Sequence, residues 1–357
     1  MEVIDNTLHE GYMQRCIALA ASRLGKVKSN PMVGAVIVYN KEIIGEGCHE
    51  FFGGPHAEVN AINSVQDKSL LPYSTLYVNL EPCVHFGKTP PCSTLIVESK
   101  IQQVVIGQQD PNPKVLGNGI TYLQSHGVAV VSGILEKECR ALNQRFNTFH
   151  EKKRPYILLK WAESADGFID PIRQNDIAQS VAISSKHSRT MVHQWRSEEM
   201  GIMVGINTVL KDNPQLDVRW YVGDSPIRLI LDPHLKSILH PELQIWNGRV
   251  RTIIFHHQSL YHSIMEGAEM VTCSEENYLQ DVMHFLYDIQ VLSIMVEGGA
   301  ITHQHFMDQG LFDEIRRFVS SEKITEGVAA PQITNARLTS ESIIEGGDRL
   351  QTYQSLI

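Results

Sequence analysis

The sequence predicts an α/β protein of two domains, on three observations. The chain has 357 residues, and at roughly 100–200 residues per domain that length favours two. Short apolar runs rich in Val and Ile alternate with longer stretches of helical character in both halves, the pattern of strands layered with helices. A charged segment, HEKKRP from His150 to Pro155, interrupts the pattern before it restarts. The expected domains are therefore 1–149 and 150–357.

Taken in order, Thr7 to Leu24 reads as a helix whose Leu8, Cys16, Leu19 and Ala20 share a face, with Gly25 as its stop. VGAVIVYNKEIIGEG reads as two strands joined at Asn40-Lys41. HAEVNAINSV is a helix opening at His56, STLYVNL a strand, and CSTLIVESK a helix with Cys92 in its first turn. QQVVIG and GVAVVSG are further short strands, which makes the first half an α/β sandwich. In the second half YILLKWAES, MGIMVG, IRLILD, RTIIF and IRRFVS read as strands. SSKHSRTMVHQWRSE is a helix capped by Ser184 or Ser185. YLQDVMHFLYDI is another helix, and VLSIMVEGG a strand running into a glycine pair ahead of a helix. This half is expected to form an α/β domain with a mostly parallel sheet.

Composition narrows the function classes. Apolar content of 43% and charged content of 20% are those of a globular protein with a core in each half. The formal net charge of −9 argues against a general nucleic-acid binder. No apolar run reaches the roughly 18 residues of a membrane span, and MEVIDNTLHEGYM is not a signal peptide, so a cytoplasmic location is expected. Six cysteines without an export signal do not suggest a disulfide framework. Cys16, Cys48, Cys139 and Cys273 read as buried small hydrophobes, whereas Cys83 and Cys92 need another account.

That account is a metal. PHAEVNAI, Pro55 to Ile62, and LEPCVHFGKTPPCSTLI, Leu80 to Ile96, offer one histidine nitrogen and two thiolates, His56, Cys83 and Cys92. A catalytic zinc takes three protein ligands and keeps its fourth position open. Cys92 near a helix N-terminus has its thiolate favoured by the helix dipole, and Pro91 has no N–H to lose there. Glu58, two residues after His56, can face a metal-activated water without ligating, take its proton and return it to a leaving group. This is the H-x-E…P-C arrangement of zinc deaminases, except that eight residues separate the cysteines instead of two. A lone histidine or cysteine pair is more often structural, and His85 offers a fourth ligand for a structural zinc. The conjunction of His-x-Glu at a helix head with two Pro-Cys steps favours the catalytic reading.

HAEVNAI, LEPCVHFGKTPPCSTLI and QDPNPKVLGNGI together resemble the bifunctional deaminase–reductase family of riboflavin biosynthesis, in which the eight-residue cysteine spacing is usual. The resemblance continues through RFNTFHEKKRPYILLKWAESADGFI, HSRTMVHQWRSE, VGINTVLKDNPQLDVR and MVEGG, in the family's order and over nearly the whole chain. It implies a cytidine-deaminase-like α/β/α sandwich followed by a dihydrofolate-reductase-like domain. It also implies two reactions on a phosphorylated pyrimidine. The 2-amino group of the diaminopyrimidinone phosphoriboside is hydrolysed off, and the ribosyl group of the product is then reduced to ribityl by NADPH. His56, Cys83 and Cys92 match the family's zinc ligands and Glu58 its proton shuttle. Asn30, His49, His85 and Lys88 match loop positions that meet the first substrate.

For the second site, glycines after the strand LSIMV let a phosphate approach backbone N–H groups at a helix start. A Gly-Gly pair alone is more often only a turn. The resemblance makes Gly298 and Gly299 cofactor contacts, together with Lys160, Thr208 and Asp212. It places Ser180, Arg196, Leu216, Arg219 and Glu297 on the substrate, with Arg196 and Arg219 as bidentate donors to its phosphate. It also implies a possible homo-oligomer.

The chain departs from the family at Ala165 in SADG, at Ala182 where a tryptophan is usual, at Asn213 in Asp-Asn-Pro, and in DPIRQNDIAQS. A deaminase with an inactive or scaffolding second domain is therefore one alternative. A nucleic-acid base deaminase and a structural-zinc protein are others, the former disfavoured by the acidic balance and the lack of interleaved aromatic and basic residues.

Overall fold

The hairpin in the first half forms around a turn that two residues dictate. The computed structural model describes residues 6–84, 90–113, 115–173, 181–257 and 267–357. After α1 (Asn6–Ala21), β1 (Gly34–Tyr39) pairs antiparallel with β2 (Glu42–Cys48). Asn40 and Lys41 between them have φ of 48° and 67°, the left-handed pair that matches the twist of a two-residue hairpin. There follow α2 (Ala57–Ser64), β3 (Thr75–Leu80), α3 (Cys92–Glu98), β4 (Gln103–Gln108), α4 (Asn118–Ser125), β5 (Ala129–Ser132), α5 (Glu136–Leu142) and α6 (Gln144–Lys152).

These strands form one sheet in the order β2-β1-β3-β4-β5, antiparallel at β2-β1-β3 and parallel at β3-β4-β5. Alternation along β1 feeds two cores. Ala35 and Ile37 join Ala61, Ile62 and Ile96 on one face, and Val36 and Val38 join Met13, Cys16 and Cys139 on the other. Helices thus cover both faces, as expected. One expectation for α1 is corrected: Leu8 is 39% exposed, and Met13 takes the buried place beside Cys16 and Ala20. Leu8 lies five positions before Met13, which puts it on another side of a helix with 3.6 residues per turn. Cys16, Cys48, Cys139 and Cys273 are buried, as read.

The chain divides into two compact units, Met1–Lys153 and Arg154–Ile357. The division lies inside the charged segment His150 to Pro155, and the boundary drawn at 149/150 falls within α6.

The second unit runs β6 (Tyr156–Glu163), β7 (Phe168–Pro171), α7 (Lys186–Glu198), β8 (Gly201–Gly205), α8 (Ile206–Asp212), β9 (Ile227–Leu231), β10 (Thr252–His256), β11 (Glu269–Thr272), α9 (Tyr278–Asp288), β12 (Ser293–Gly298), α10 (Ala300–Asp308), β13 (Glu314–Val319), β14 (Gly327–Ala329), β15 (Ala336–Ile343) and β16 (Arg349–Ser355). Its large sheet has the order β11-β10-β9-β8-β12-β6-β13-β16-β15. Every pairing from β11 to β13 is parallel, and only the β15–β16 hairpin and its junction with β13 are antiparallel. The sheet is mostly parallel, as the sequence predicts. β7 and β14 form a separate antiparallel pair.

Helix α7 starts where the cap residue sets it, since Ser185 Oγ accepts from the amide of Ser188 at 3.2 Å. Its Val192 and Trp195 pack on Tyr156, Leu158 and Phe318 of the sheet. Leu279, Val282 and Leu286 of α9 and Phe306 of α10 cover the opposite face. In an open α/β sheet of this kind, ligands sit outside the carboxyl ends of the parallel strands. Glu297, Gly298 and Gly205 are at such ends.

Candidate active sites

In the first unit two helix starts bring the metal-binding groups together. His56 is the N-cap residue of α2, and Cys92 opens α3 after Pro91. Cys83 follows β3 by three residues, and its sulfur accepts from the Cys92 amide at 3.4 Å. His56 Nδ1 lies 3.2 Å from Cys92 Sγ and 3.6 Å from Cys83 Sγ, and all three donor atoms are within 4.8 Å of one another. Ligand atoms about 2.0–2.3 Å from one tetrahedral zinc are about 3.3–3.8 Å apart, so the spacing fits that ion.

The electrostatics fit it as well. A hydrogen bond from Cys92, with a second from His56, holds the Cys83 thiol down at about 4. The bond to Cys83 lifts His56 to about 9. Cys92 is pushed up by its bond to Cys83 and by burial. Protons here occupy the place of a cation, and a bound metal releases them.

Glu58 lies in the first turn of α2 and is 4% exposed. Burial raises its carboxyl above the ordinary range, which suits a group that must hold a proton and give it back. His49 is buried edge-on to His56, with ring centroids 5.8 Å apart. His49 Nδ1 is 2.9 Å from the Pro55 carbonyl, and Asn30 Nδ2 is 2.8 Å from Nε2. The carbonyl can only accept, so Nδ1 carries the proton and Nε2 receives the bond from Asn30. Asn30 and His49 thus act as one unit at the metal centre. His85 and Lys88, expected on the substrate, lie outside the described residues.

Three polar side chains that the sequence reading did not single out hold this site in place. The Glu81 carboxylate accepts from the amides of Asp110, Gly117, Gly119 and Ile120 at 2.8–3.2 Å. It ties the Cys83 loop to the start of α4. Asn79 and Asn143, both buried, bond the backbone of Met32 and Gly34 and fix the loop that carries Asn30. An acid directly before Pro82-Cys83 was the available signal for Glu81.

In the second unit a cleft of about 1030 Å³ opens along the strand ends. Lys160, Arg196, Thr208, Asp212, Leu216, Arg219, Glu297 and Gly299 all line it. Gly298 is next to the lining and has φ 130°, a conformation open to glycine and to few others. Ser180 lies outside the described residues. Glu297 sits at the centre of the charges. Arg196 Nε and Nη2 grip its two oxygens at 2.6 and 2.9 Å, and Lys160 Nζ is 3.8 Å away. Burial alone would push Glu297 up, but Arg196 and Lys160 hold it down at about 2.

Arg196, expected to grip the phosphate, also donates from Nη1 to the Asp217 carbonyl at 3.0 Å, and with one such bond from each nitrogen two of its five N–H groups are left over for an anion. Asp212 is likewise engaged: Arg173 Nη2 is 2.5 Å from its Oδ1 and 2.9 Å from Asp170. Both Arg173 and Asp170 belong to the atypical DPIR stretch.

The other departures have local explanations. Asn213 has φ 41° at the C-cap of α8, where asparagine is well tolerated, and its Oδ1 accepts from Gln244 N at 2.7 Å. Ala165 donates its amide to the Glu322 carbonyl at 2.7 Å, a bond that needs no side chain. Ala182 lines the cleft and offers no aromatic surface there.

Comparison with known proteins covers both units. The family model described as the cytidine and deoxycytidylate deaminase zinc-binding region matches residues 6–108. The RibD C-terminal domain matches residues 155–331. The chain is 37% identical over 324 residues to the riboflavin biosynthesis protein RibD of Aquifex aeolicus, covering 90% of this chain and 89% of that protein. It is 39% identical over 320 residues to RibD of Actinobacillus pleuropneumoniae, covering 88% and 84%. The crystal structure of the Thermotoga maritima diaminohydroxyphosphoribosylaminopyrimidine deaminase/5-amino-6-(5-phosphoribosylamino)uracil reductase superimposes with a TM-score of 0.87 at 36% identity, covering 98% of this chain and 99% of that one.

Proposed function

This chain belongs to the RibD family of riboflavin-biosynthesis deaminase/reductases, and from that premise we propose which of its residues carry the two activities. The enzyme is a bifunctional one, with a zinc-dependent deaminase in its first unit and an NADPH-dependent reductase in its second. It removes an amino group from the diaminopyrimidinone phosphoriboside and reduces the ribosyl chain of the product to ribityl. The convergence of His56, Cys83 and Cys92 beside a buried Glu58 supports the first assignment more than any other observation.

His56, Cys83 and Cys92 hold the zinc. When bound, zinc supplies a Lewis acid that makes water acidic enough to attack at neutral pH. Glu58 takes the proton from the attacking water on a carboxylate oxygen and passes it to the departing amine. Asn30 and His49 fix the pyrimidine, and His85 and Lys88 complete the substrate side.

In the second unit NADPH supplies the hydride. Gly298, Gly299, Thr208, Asp212 and Lys160 form its side of the cleft. Glu297, held ionised and in one orientation by Arg196, accepts hydrogen bonds from the sugar hydroxyls. Arg196, Leu216, Arg219 and Ser180 lie on the substrate side as well. The enzyme acts in the cytoplasm and binds no nucleic acid. The net charge of −9 supports the second point, and among the described residues no helix is long and apolar enough to cross a membrane.

The decisive experiment is mass analysis of the products after incubation of the diaminopyrimidinone phosphoriboside with protein, zinc and NADPH. A deaminated ribityl product is expected. A deaminated product that is still ribosyl would leave the second unit without its activity and favour the scaffold alternative. An unchanged substrate would overturn the assignment of His56, Cys83, Cys92 and Glu58.

A further inference from the structure

The chain contains two Asn-Gly dipeptides, Asn118-Gly119 and Asn247-Gly248. Asparagine before glycine is prone to lose its side-chain amide, because the glycine nitrogen reaches the asparagine Cγ unhindered by a Cβ. Folding treats the two pairs oppositely. Asn118 opens α4, and the buried Gly119 amide donates to the Glu81 carboxylate at 2.8 Å, which commits that nitrogen. Asn247-Gly248 is an exposed bend between β9 and β10. Among the described residues the Gly248 amide donates no hydrogen bond. Gly248 has φ 64°, and a Cβ there would meet nothing within 4 Å. Asn247 has ψ −2° and must rotate to bring that amide over its side chain, and no atom packs on Gly248 to oppose the rotation.

The side chain of Asn247 is anchored for the reaction. Its Oδ1 accepts from Arg228 Nη1 at 2.9 Å and from the Arg249 amide at 3.1 Å. Both partners can only donate, which identifies the accepting atom as the oxygen. Two donors on a carbonyl oxygen, one of them cationic, stabilise the negative charge that gathers there when a nucleophile adds to the carbon.

Arg228 also favours the product. It is 1% exposed, pairs with no carboxylate among the described residues, and leaves its buried Nε without a partner. Its contacts with the Gln244 and Ile245 carbonyls are long, 3.4 and 3.5 Å. Asp217 acts on it only from a distance and is itself paired with Arg219. A buried cation without an anion is unfavourable, and a carboxylate in the place of the Asn247 amide relieves it. The same segment reaches the cleft, since Gln244 donates from N and Nε2 to Oδ1 and the carbonyl of Asn213 at 2.7 and 2.9 Å. A firmer bend therefore steadies the residue next to Asp212.

We propose that Asn247 is a self-modifying site, converted to an acid whose carboxylate becomes the ion-pair partner of Arg228. The Gly248 nitrogen gives its proton to hydroxide and forms a bond to Asn247 Cγ. The Cγ–Nδ2 bond breaks, and Nδ2 takes a proton from water and leaves as ammonia. Water then opens the cyclic imide to aspartate or isoaspartate, each with one free carboxylate. The step needs water alone, and it is independent of both assigned activities.

The test ages the full-length protein at mildly alkaline pH, folded and in denaturant, and follows the peptides of both Asn-Gly pairs by mass spectrometry. In the folded protein Asn118 should convert at least about tenfold more slowly than in denaturant, since reaction there requires local opening. Asn247 should convert at least as fast folded as in denaturant, because its two donors act only in the fold. Slower conversion of Asn247 in the folded protein would overturn the site. Asn247→Asp, made directly, should raise the melting temperature of the second unit by about 2–4 °C, the size of one charge-assisted contact in a unit this large. An equal or lower melting temperature would overturn the pairing with Arg228.

Discussion

At the scale of single residues, two carboxylates with opposite shifts define the two chemistries. Glu58 is raised by burial and is fitted to carry a proton, whereas Glu297 is held at about 2 by its two cations and is fitted to stay charged. Glu58→Gln should reduce deamination by about 10²–10⁴-fold, the contribution of a positioned proton carrier, while metal analysis still finds one zinc per chain. Loss of the zinc would make Glu58 a structural support of the centre. Glu297, before Gly298-Gly299, was placed on the substrate by the family resemblance, but its ion pair was not legible. Its partner Arg196 is 101 residues away in sequence, and no local pattern announces that distance. Because the folded value of Glu297 lies below its ordinary 4.5, its contribution to stability is present above about 4.5 and is lost as the pH falls through about 2. Glu297→Gln, which leaves buried cations unpaired, should destabilise the second unit by about 3 kcal/mol at neutral pH. The gap between wild type and variant should close as thermal melts are repeated from pH 4.5 downward. A constant gap would mean that the pair carries no such linkage.

At the scale of elements, local rules account for much of what was legible. The Asn40-Lys41 hairpin, the Ser185 cap and the helices opening at His56 and Cys92 all depend on residues within a few positions of one another. The β15–β16 hairpin was missed for a matching reason: β15 is polar and exposed along most of its length, so it lacks the alternation that marks a half-buried strand. Its place is set by pairing with β16, and through it with β13. Glu81 shows the same limit at the first site. One carboxylate serves four amides of a segment 29–39 residues further on. Glu81→Ala should destabilise the first unit by about 3 kcal/mol, since buried N–H groups lose their acceptor, and should weaken zinc retention against a chelator. Normal stability and zinc content in that variant would show that water or a rearranged loop replaces the carboxylate.

At the scale of the whole molecule, each unit has its own sheet, its own cores and its own candidate site. A chelator that strips zinc should therefore abolish ammonia release from the first substrate while reduction of a supplied deaminated intermediate keeps at least about half its rate, a change too small to register as a lost catalytic group. Glu58→Gln should behave in the same way. Loss of both activities together would show that the second unit depends on the metal centre of the first.

The sequence by itself determined the two α/β units, the chemistry of the first site and the family. The metal donors sit at helix starts that their own neighbours specify, and the spacing of His56, Glu58, Cys83 and Cys92 survives as a readable string. Tertiary structure alone decided how the charges of the second cleft are shared: Arg196 to Glu297, Arg173 to Asp212, and Arg189 to Trp220. The physical reason is range. Helix and strand periods are written in consecutive residues, whereas ion pairing depends on which strand ends and loops the buried sheet brings side by side, β12 between β8 and β6 above all.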